Sequence, residues 1–215
     1  MAGRRHVWYR SVLALVLVAG TAAVWARLPE TMPVHWELSG KPDRFGSRVE
    51  GALLLPLLFL GIWGLTELLP RIDPRRANFA KMRGAYDLAI SASLTMLLVM
   101  QGVILATALG YRVPMHRIVP ATAGVLFLVL GNLLPRARPN WWFGIRTPWT
   151  LSSDRVWART HRVGGYCMAG AGVLLLVAAF LPTSWFMGLF VGVVVPAALV
   201  PVVYSYFAWR QEHRT

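Results

Sequence analysis

Six long apolar runs, at roughly 8–27, 51–69, 86–110, 117–135, 164–181 and 185–208, alternate with shorter polar segments along the 215-residue chain. Each is long enough to cross a hydrocarbon core of about 30 Å as a helix. None shows the two-residue alternation of a barrel strand, so helices are the structure that satisfies the backbone in lipid. The pattern predicts an all-α polytopic membrane protein with about six transmembrane helices. For the first run a cleaved signal peptide over residues 1–26 is the competing reading, with Arg4 and Arg5 as its basic start and Val24-Trp25-Ala26 as its cleavage site. Trp25 and the length of the run favour a retained helix.

The polar segments differ in character. Segment 28–50 contains Pro29, Pro33, Gly40, Pro42 and Gly46, too many breaks for a helix or central strand, and predicts a compact loop on the outer surface. Ser47 and Glu50 fit a capping box opening the second span. The short connections near 111–116 and 182–184 predict antiparallel neighbours, spans three with four and five with six. Segment 136–163 is the longest connection. Ser152 or Ser153 suits a helix N-cap there, with Asp154 in the first turn, and the helix is expected to run on into the fifth span. The chain thus divides into an N-terminal membrane region, 1–110, with outer loop 28–50, and a C-terminal one, 111–215, with inner loop 136–163.

Charge orients this arrangement. With six spans and an inside N-terminus, sixteen Lys and Arg fall on inner segments and six on outer ones. That bias predicts both termini in the cytoplasm. The net charge of +13 is accounted for by arginines beside membrane ends, which suits anionic lipid heads and argues against direct nucleic-acid binding. Hydrophobic residues make up 56% of the chain, outside the soluble norm. The single Cys167 lies inside a span, which makes an intramolecular disulfide impossible.

Candidate chemistry is sparse. The spans hold few ionisable groups: Gln101 is the most central strongly polar side chain, Glu67 and Asp87 lie near inner ends, and Arg71 is placed to pair with Glu67 if the helix survives Pro70. Pro56, Pro196 and Pro201 could break helices at a transport site. His35, Glu37, Asp43 and His116 share the outer side and could form a zinc set, although their spacing matches no known ligand pattern. No nucleophile motif or phosphate loop is present, and the expectation is a protein without catalytic residues, cofactor or metal. A Gly165, Ala169, Gly172 stripe could make a close helix contact, within or between chains.

What remains is one polar patch on each side. Outside, His35, Trp36, Asp43 and Arg44 sit on a proline-stiffened loop. Inside, Trp141, Trp142, Trp149 and Trp157 crowd together with Arg146, Arg155, Arg159, Arg162 and His161. An aromatic belt with arginine anchors explains much of the inner group. Pro148 biases Thr147 away from helix, so Arg146 stands on a loop, free for a bidentate contact with carboxylate or phosphate.

The inner stretch Asn-x-x-Phe-Gly-Ile-Arg-Thr-Pro-Trp-Thr-Leu from Asn140, followed by Trp157, His161 and Arg162, resembles the signature of the SdpI family, immunity proteins for sporulation-delaying peptide toxins. Residues Pro33-Val34-His35-Trp36 through Gly40, Pro42 and Asp43 resemble the N-terminal domain of unknown function that commonly precedes it. The resemblance implies a bacterial inner-membrane protein that protects against a secreted membrane-active peptide and, in its best-known type, holds a transcriptional repressor at the membrane. It places the family signature on Asn140, Phe143, Gly144, Arg146, Pro148, Trp149, Trp157 and His161, and the outer motif on Pro33, His35, Gly40 and Asp43. The expected partners are the bilayer, a peptide toxin and a cytoplasmic repressor. A small-molecule or lipid transporter and a metal-dependent membrane enzyme are the alternatives.

Overall fold

Six helices long and apolar enough to cross a membrane run through the chain: α1 (Ala2–Val24), α2 (Arg48–Ile72), α3 (Arg76–Ala108), α4 (Met115–Leu133), α6 (Asp154–Ala178) and α7 (Phe186–Glu212), with the short α5 (Pro148–Ser152) before α6. The computed structural model describes residues 2–37 and 39–214, with the backbone alone for Ala2, Gly3, Arg4, Phe186 and Met187. The Arg4 side chain, counted above among the basic groups, lies outside the described residues. All six predicted spans are present. Helix α3 begins about ten residues earlier than its apolar run, because its first turns bury Phe79, Met82 and Tyr86 against the loops at that end.

Segment 28–50 departs from the irregular loop expected for it. It forms an antiparallel hairpin of β1 (Thr31–Trp36) and β2 (Pro42–Ser47). A sheet of two strands has no central strand, so each proline can keep its missing N–H on a free edge. Gly40, at φ 85°, reverses the chain. Its N–H donates to the Glu37 carbonyl at 2.9 Å. Fully buried Met32 seats the hairpin on the helices, packed with Leu28, Ala52 and Leu105. Gly51 makes the room, since a Cβ there would lie 3.0 Å from the Met32 methyl. Ser47 caps α2 as expected, its Oγ accepting from the Glu50 N–H at 3.2 Å. The Glu50 carboxylate pairs with Arg44 at 2.8 Å.

The spans are held by a buried ionic cluster that the distribution of charge did not reveal. Arg10, assigned above to the inner basic segment, is fully buried. Its Nη1 pairs with Glu67 at 2.6 Å and its Nη2 with Asp87 at 3.0 Å. It also donates to Ser91 Oγ and the Asp87 carbonyl. Arg83 joins from one turn before Asp87, at 2.8 Å. Glu67 therefore pairs with Arg10 rather than Arg71, although α2 does continue through Pro70 to Ile72. One side chain from α1 thus ties α2 and α3, and two cations face two carboxylates. A partnered set of this kind is tolerable out of water, whereas a lone charge is not.

Helices α4 and α6 touch backbone to backbone. A Cβ on Gly131 would lie 2.6 Å from the Ala169 nitrogen, one on Gly165 2.7 Å from the Gly131 carbonyl, and one on Gly172 2.7 Å from the Gly124 carbonyl. The small-residue stripe is therefore a contact within the chain, the close approach that glycine permits between membrane helices. Helix α7 packs on the other side of α6, and α3 packs on α4. Pro56, Pro196 and Pro201 lie inside continuous helices. No broken helix of the kind expected at a transport site is formed at these three positions.

Replacing Arg10 with Leu leaves Glu67 and Asp87 to share the partly exposed Arg83 and takes away the buried cation between them. Loss of one partner from a buried pair costs about 3–5 kcal/mol, so thermal unfolding of the solubilised variant should shift sharply downward. Combining Arg10→Leu with Glu67→Gln and Asp87→Asn should recover much of that loss; an Arg10→Leu protein as stable as wild type would contradict the role given to the cluster.

Candidate functional site

At the face carrying both chain ends, α4 gives way to a non-helical segment, 137–147, before α5. Every backbone amide released from a helix at the edge of a bilayer needs a new partner. Asn140, fully buried, uses its whole side chain for this. Its Nδ2 donates to the Arg138 and Phe143 carbonyls, both at 2.8 Å. Its Oδ1 accepts from the Trp142 and Phe143 N–H groups at 2.8 and 2.6 Å. Asp73, between α2 and α3, accepts from the Trp141 N–H at 2.9 Å, and Asn78 donates to the Pro139 carbonyl at 2.7 Å. The loop is thereby fastened to the N-terminal half.

Helix α6 supplies the other wall. Ser153 caps it, accepting from the Val156 N–H at 3.2 Å, and the helix runs unbroken from Asp154 as expected. Trp157 and His161, one turn apart, face inward and are almost wholly buried. The Trp157 indole donates to the Ala137 carbonyl at 2.9 Å. His161 Nε2 accepts from the Ile145 N–H at 2.9 Å. Its Nδ1 lies 2.8 Å from the Trp157 carbonyl and must donate to it. That pairing requires the neutral imidazole with its proton on Nδ1. The two rings stack with centroids 4.0 Å apart. Gly144, at φ 111°, lies directly against His161, where a Cβ would collide with Nε2.

Trp157 is consequently no member of an interfacial belt: it joins Phe79, Met82, Tyr86 and Ala137 in a buried cluster, with Phe143 packed against it. Phe143 meets Tyr86 edge-on, 5.6 Å between centroids. Thr147 and Thr150 cap α5 reciprocally, and Thr147 lies 3.0 Å from Ser205 on α7. Pro148 occupies the first turn of α5. Trp149 packs edge-on against Tyr206, 5.2 Å between centroids.

The signature residues therefore fall into two groups. Asn140, Phe143, Gly144, Trp157 and His161 build the loop, and Pro148 and Trp149 belong with them as the start of α5, packed on α7. Arg146 is exposed on its surface, held by a single 2.7 Å bond from Nη1 to the Trp141 carbonyl. Among the described residues it takes part in no ion pair. Exposed Trp141 and Trp142 share this surface, and Arg136, Arg138, Arg159 and Arg162 are exposed on the adjoining segments. Such an arrangement offers a cationic, aromatic-rimmed surface.

Asp73 and Asn78 were not singled out from the sequence, and neither was the reciprocal capping of Thr147 and Thr150. Asp73 is the one acid in a basic connection, a signal that could have identified it.

On the opposite face, His35 Nδ1 pairs with Asp43 Oδ1 across the hairpin at 2.6 Å, both exposed. Pro33 is buried in β1 and pairs with Phe45. Gly40 rests against His116, and a recess of about 550 Å³ opens there between the hairpin and the α3–α4 connection. Trp36, Tyr111, Arg112 and His116 line it. The four residues weighed as a zinc set do not converge: among the described residues no three His, Cys, Asp or Glu side chains are placed to hold a metal.

Six spanning helices, a hairpin on one face and a self-bonded loop on the other define a multi-pass α-helical membrane protein. Residues 136–205 match the model of the SdpI/YfhL protein family, and residues 12–60 match a domain of unknown function, DUF1648. The match to the SdpI/YfhL family thus covers about a third of the chain, including the whole signature loop, and the protein is a bacterial membrane protein. It is similar to Immunity protein SdpI of Bacillus subtilis, 24% identical over 206 residues that cover 94% of this chain and 97% of that protein. It is also similar to an uncharacterized protein of Archaeoglobus fulgidus, 44% identical over 57 residues, 23% of this chain and 30% of that one. No solved structure matches.

Substituting Gly144 by Ala forces both a left-handed backbone and a collision with His161, and strain of this type costs about 1–3 kcal/mol. Gly144→Ala should lower the unfolding temperature, while Arg146→Ala, which removes one exposed bond, should leave it within error of wild type. The reverse order would show that Arg146, not the Gly144–His161 contact, holds the loop.

Proposed function

We propose that this protein protects a bacterial cell against a secreted, membrane-active peptide. It would meet the peptide on the hairpin face and pass the encounter to a cytoplasmic repressor on the loop face. The observation that carries the reading is the similarity to Immunity protein SdpI along 94% of the chain. The geometry supports it in two places. The outer recess between the hairpin and the α3–α4 connection combines aromatic side chains with Arg112, which suits an amphipathic peptide carrying a carboxylate. The loop face presents Arg146 on a support whose polar groups are satisfied internally, which keeps that cation available to an acidic partner.

In this reading both termini are cytoplasmic, as the Lys and Arg bias indicates. Residues 1–110 carry the toxin-facing hairpin, and residues 111–215 carry the reporting loop. His35, Asp43, Gly40 and Pro33 shape the outer surface. Arg146 is the contact residue of the inner one, and Asn140, Phe143, Gly144, Pro148, Trp149, Trp157 and His161 hold it in place. No step requires a cofactor or bond chemistry.

The test is retention of membrane potential, followed by a potential-sensitive dye, in toxin-sensitive bacteria challenged with a sporulation-delaying-type peptide. Cells expressing the wild type should keep their potential. Arg146→Ala should impair reporting to a repressor while His35→Ala, at equal membrane abundance, should impair protection. Failure of the wild type to protect at verified abundance would overturn the immunity reading for that peptide class.

A further inference from the structure

Helices α1 and α4 both pack on α3, and between them runs a groove of about 1030 Å³ on the outer surface of the bundle. Its walls are apolar, formed chiefly by Leu88, Met96 and Val99 of α3 and Val125, Leu126 and Val129 of α4. Arg5 and His6 of α1 stand at one end. Partway along, Tyr9 Oη and Thr95 Oγ1 lie 2.9 Å apart and satisfy each other.

Depth and charge identify an occupant. From Leu88 to Val99 a helix rises about 16 Å, close to half of a hydrocarbon core of about 30 Å. The groove is therefore one leaflet deep, on the side of the chain ends. A partner transmembrane helix would need the full thickness, whereas an acyl chain needs one leaflet. At the headgroup end, Arg5 is exposed and takes part in no ion pair among the described residues. Arg10, also on α1, is committed to Glu67 and Asp87. An apolar trough ending at an uncommitted cation matches a lipid with an anionic head.

We propose that this groove is a binding site for one anionic phospholipid, an acyl chain lying along α3 and α4 and the phosphate held by Arg5 and His6. Arg5 supplies the charge and His6 a ring nitrogen for hydrogen bonding. The site is separate from the signature loop and from the hairpin recess, and it does not depend on the immunity reading.

The experiment is native mass spectrometry of the full-length protein in mild detergent, offered equal amounts of phosphatidylglycerol and phosphatidylcholine with matched chains. The wild type should retain one phosphatidylglycerol in preference. Arg5→Gln combined with His6→Gln should cut that preference about fivefold, the worth of roughly one cation near an anionic surface. Val125 is 53% exposed, so Val125→Trp places its bulk in the groove and not the core. It should reduce retention of both lipids while leaving helical content unchanged. Soluble glycerophosphoglycerol should fail to displace the lipid. Equal retention of the two lipids by the wild type, or an undiminished preference in the Arg5, His6 variant, would overturn the proposal. So would full retention by Val125→Trp, displacement by the headgroup alone, or a lipid-free dimer in which a second chain covers the groove.

Discussion

Backbone that leaves a helix within reach of lipid must bond to its own chain, and the face carrying the chain ends is organised around that requirement. The helix α4 stops, and eleven residues, 137–147, pass before helix resumes at Pro148. Water cannot be counted on to satisfy them, so neighbouring elements donate side chains for the purpose. Asn140 works from within the loop, Asp73 and Asn78 from the α2–α3 side, and Trp157 and His161 from α6. A segment that looked suited to recognition is mostly devoted to holding itself together. The residue left over, Arg146, is exposed and bonds back to the loop through the Trp141 carbonyl.

The same economy governs charge inside the N-terminal helices. Ionised groups on membrane-spanning helices would be destabilising singly, yet Arg10, Glu67, Asp87 and Arg83 form a partnered set with Ser91 and a backbone carbonyl. Hydrophobic contact cannot hold helices together in lipid as it does in water. A polar cluster shared by three helices supplies the attraction that apolar side chains do not.

The apolar runs made the six spans legible, because hydropathy over about 20 residues is a strong signal. The cap at Ser153 and the unbroken helix after it were readable for the same local reason. Elements whose structure depends on a distant partner were not. Arg10 lies inside the first apolar run, but its partners are 57 and 77 positions away, so it was counted with the membrane-edge arginines. Trp157 and His161, four positions apart, share one helix face, yet spacing does not say whether that face meets lipid heads or a loop folded back upon it. The hairpin was missed because its prolines were judged against a central strand, and a sheet of two strands has none. The site as a stretch of chain was visible; the division of its residues between scaffold and surface was not.

The contact between α4 and α6 fixes more than a distance. Gly124 and Gly131 lie against Gly172, Gly165 and Ala169 with no side chain between the backbones, while Leu128 and Leu176 stand beside the seam. Sliding one helix by a single residue would drive a leucine into a space sized for hydrogen. The pair is therefore indexed, like a ratchet with its pawl engaged, and it can tilt or translate as one beam without slipping. One end of that beam carries the α3–α4 connection under the hairpin, and the other carries the start of the Asn140 loop. Both faces are thus tied to one glycine-indexed pair, and the position of α6 along α4 is written into four hydrogen atoms.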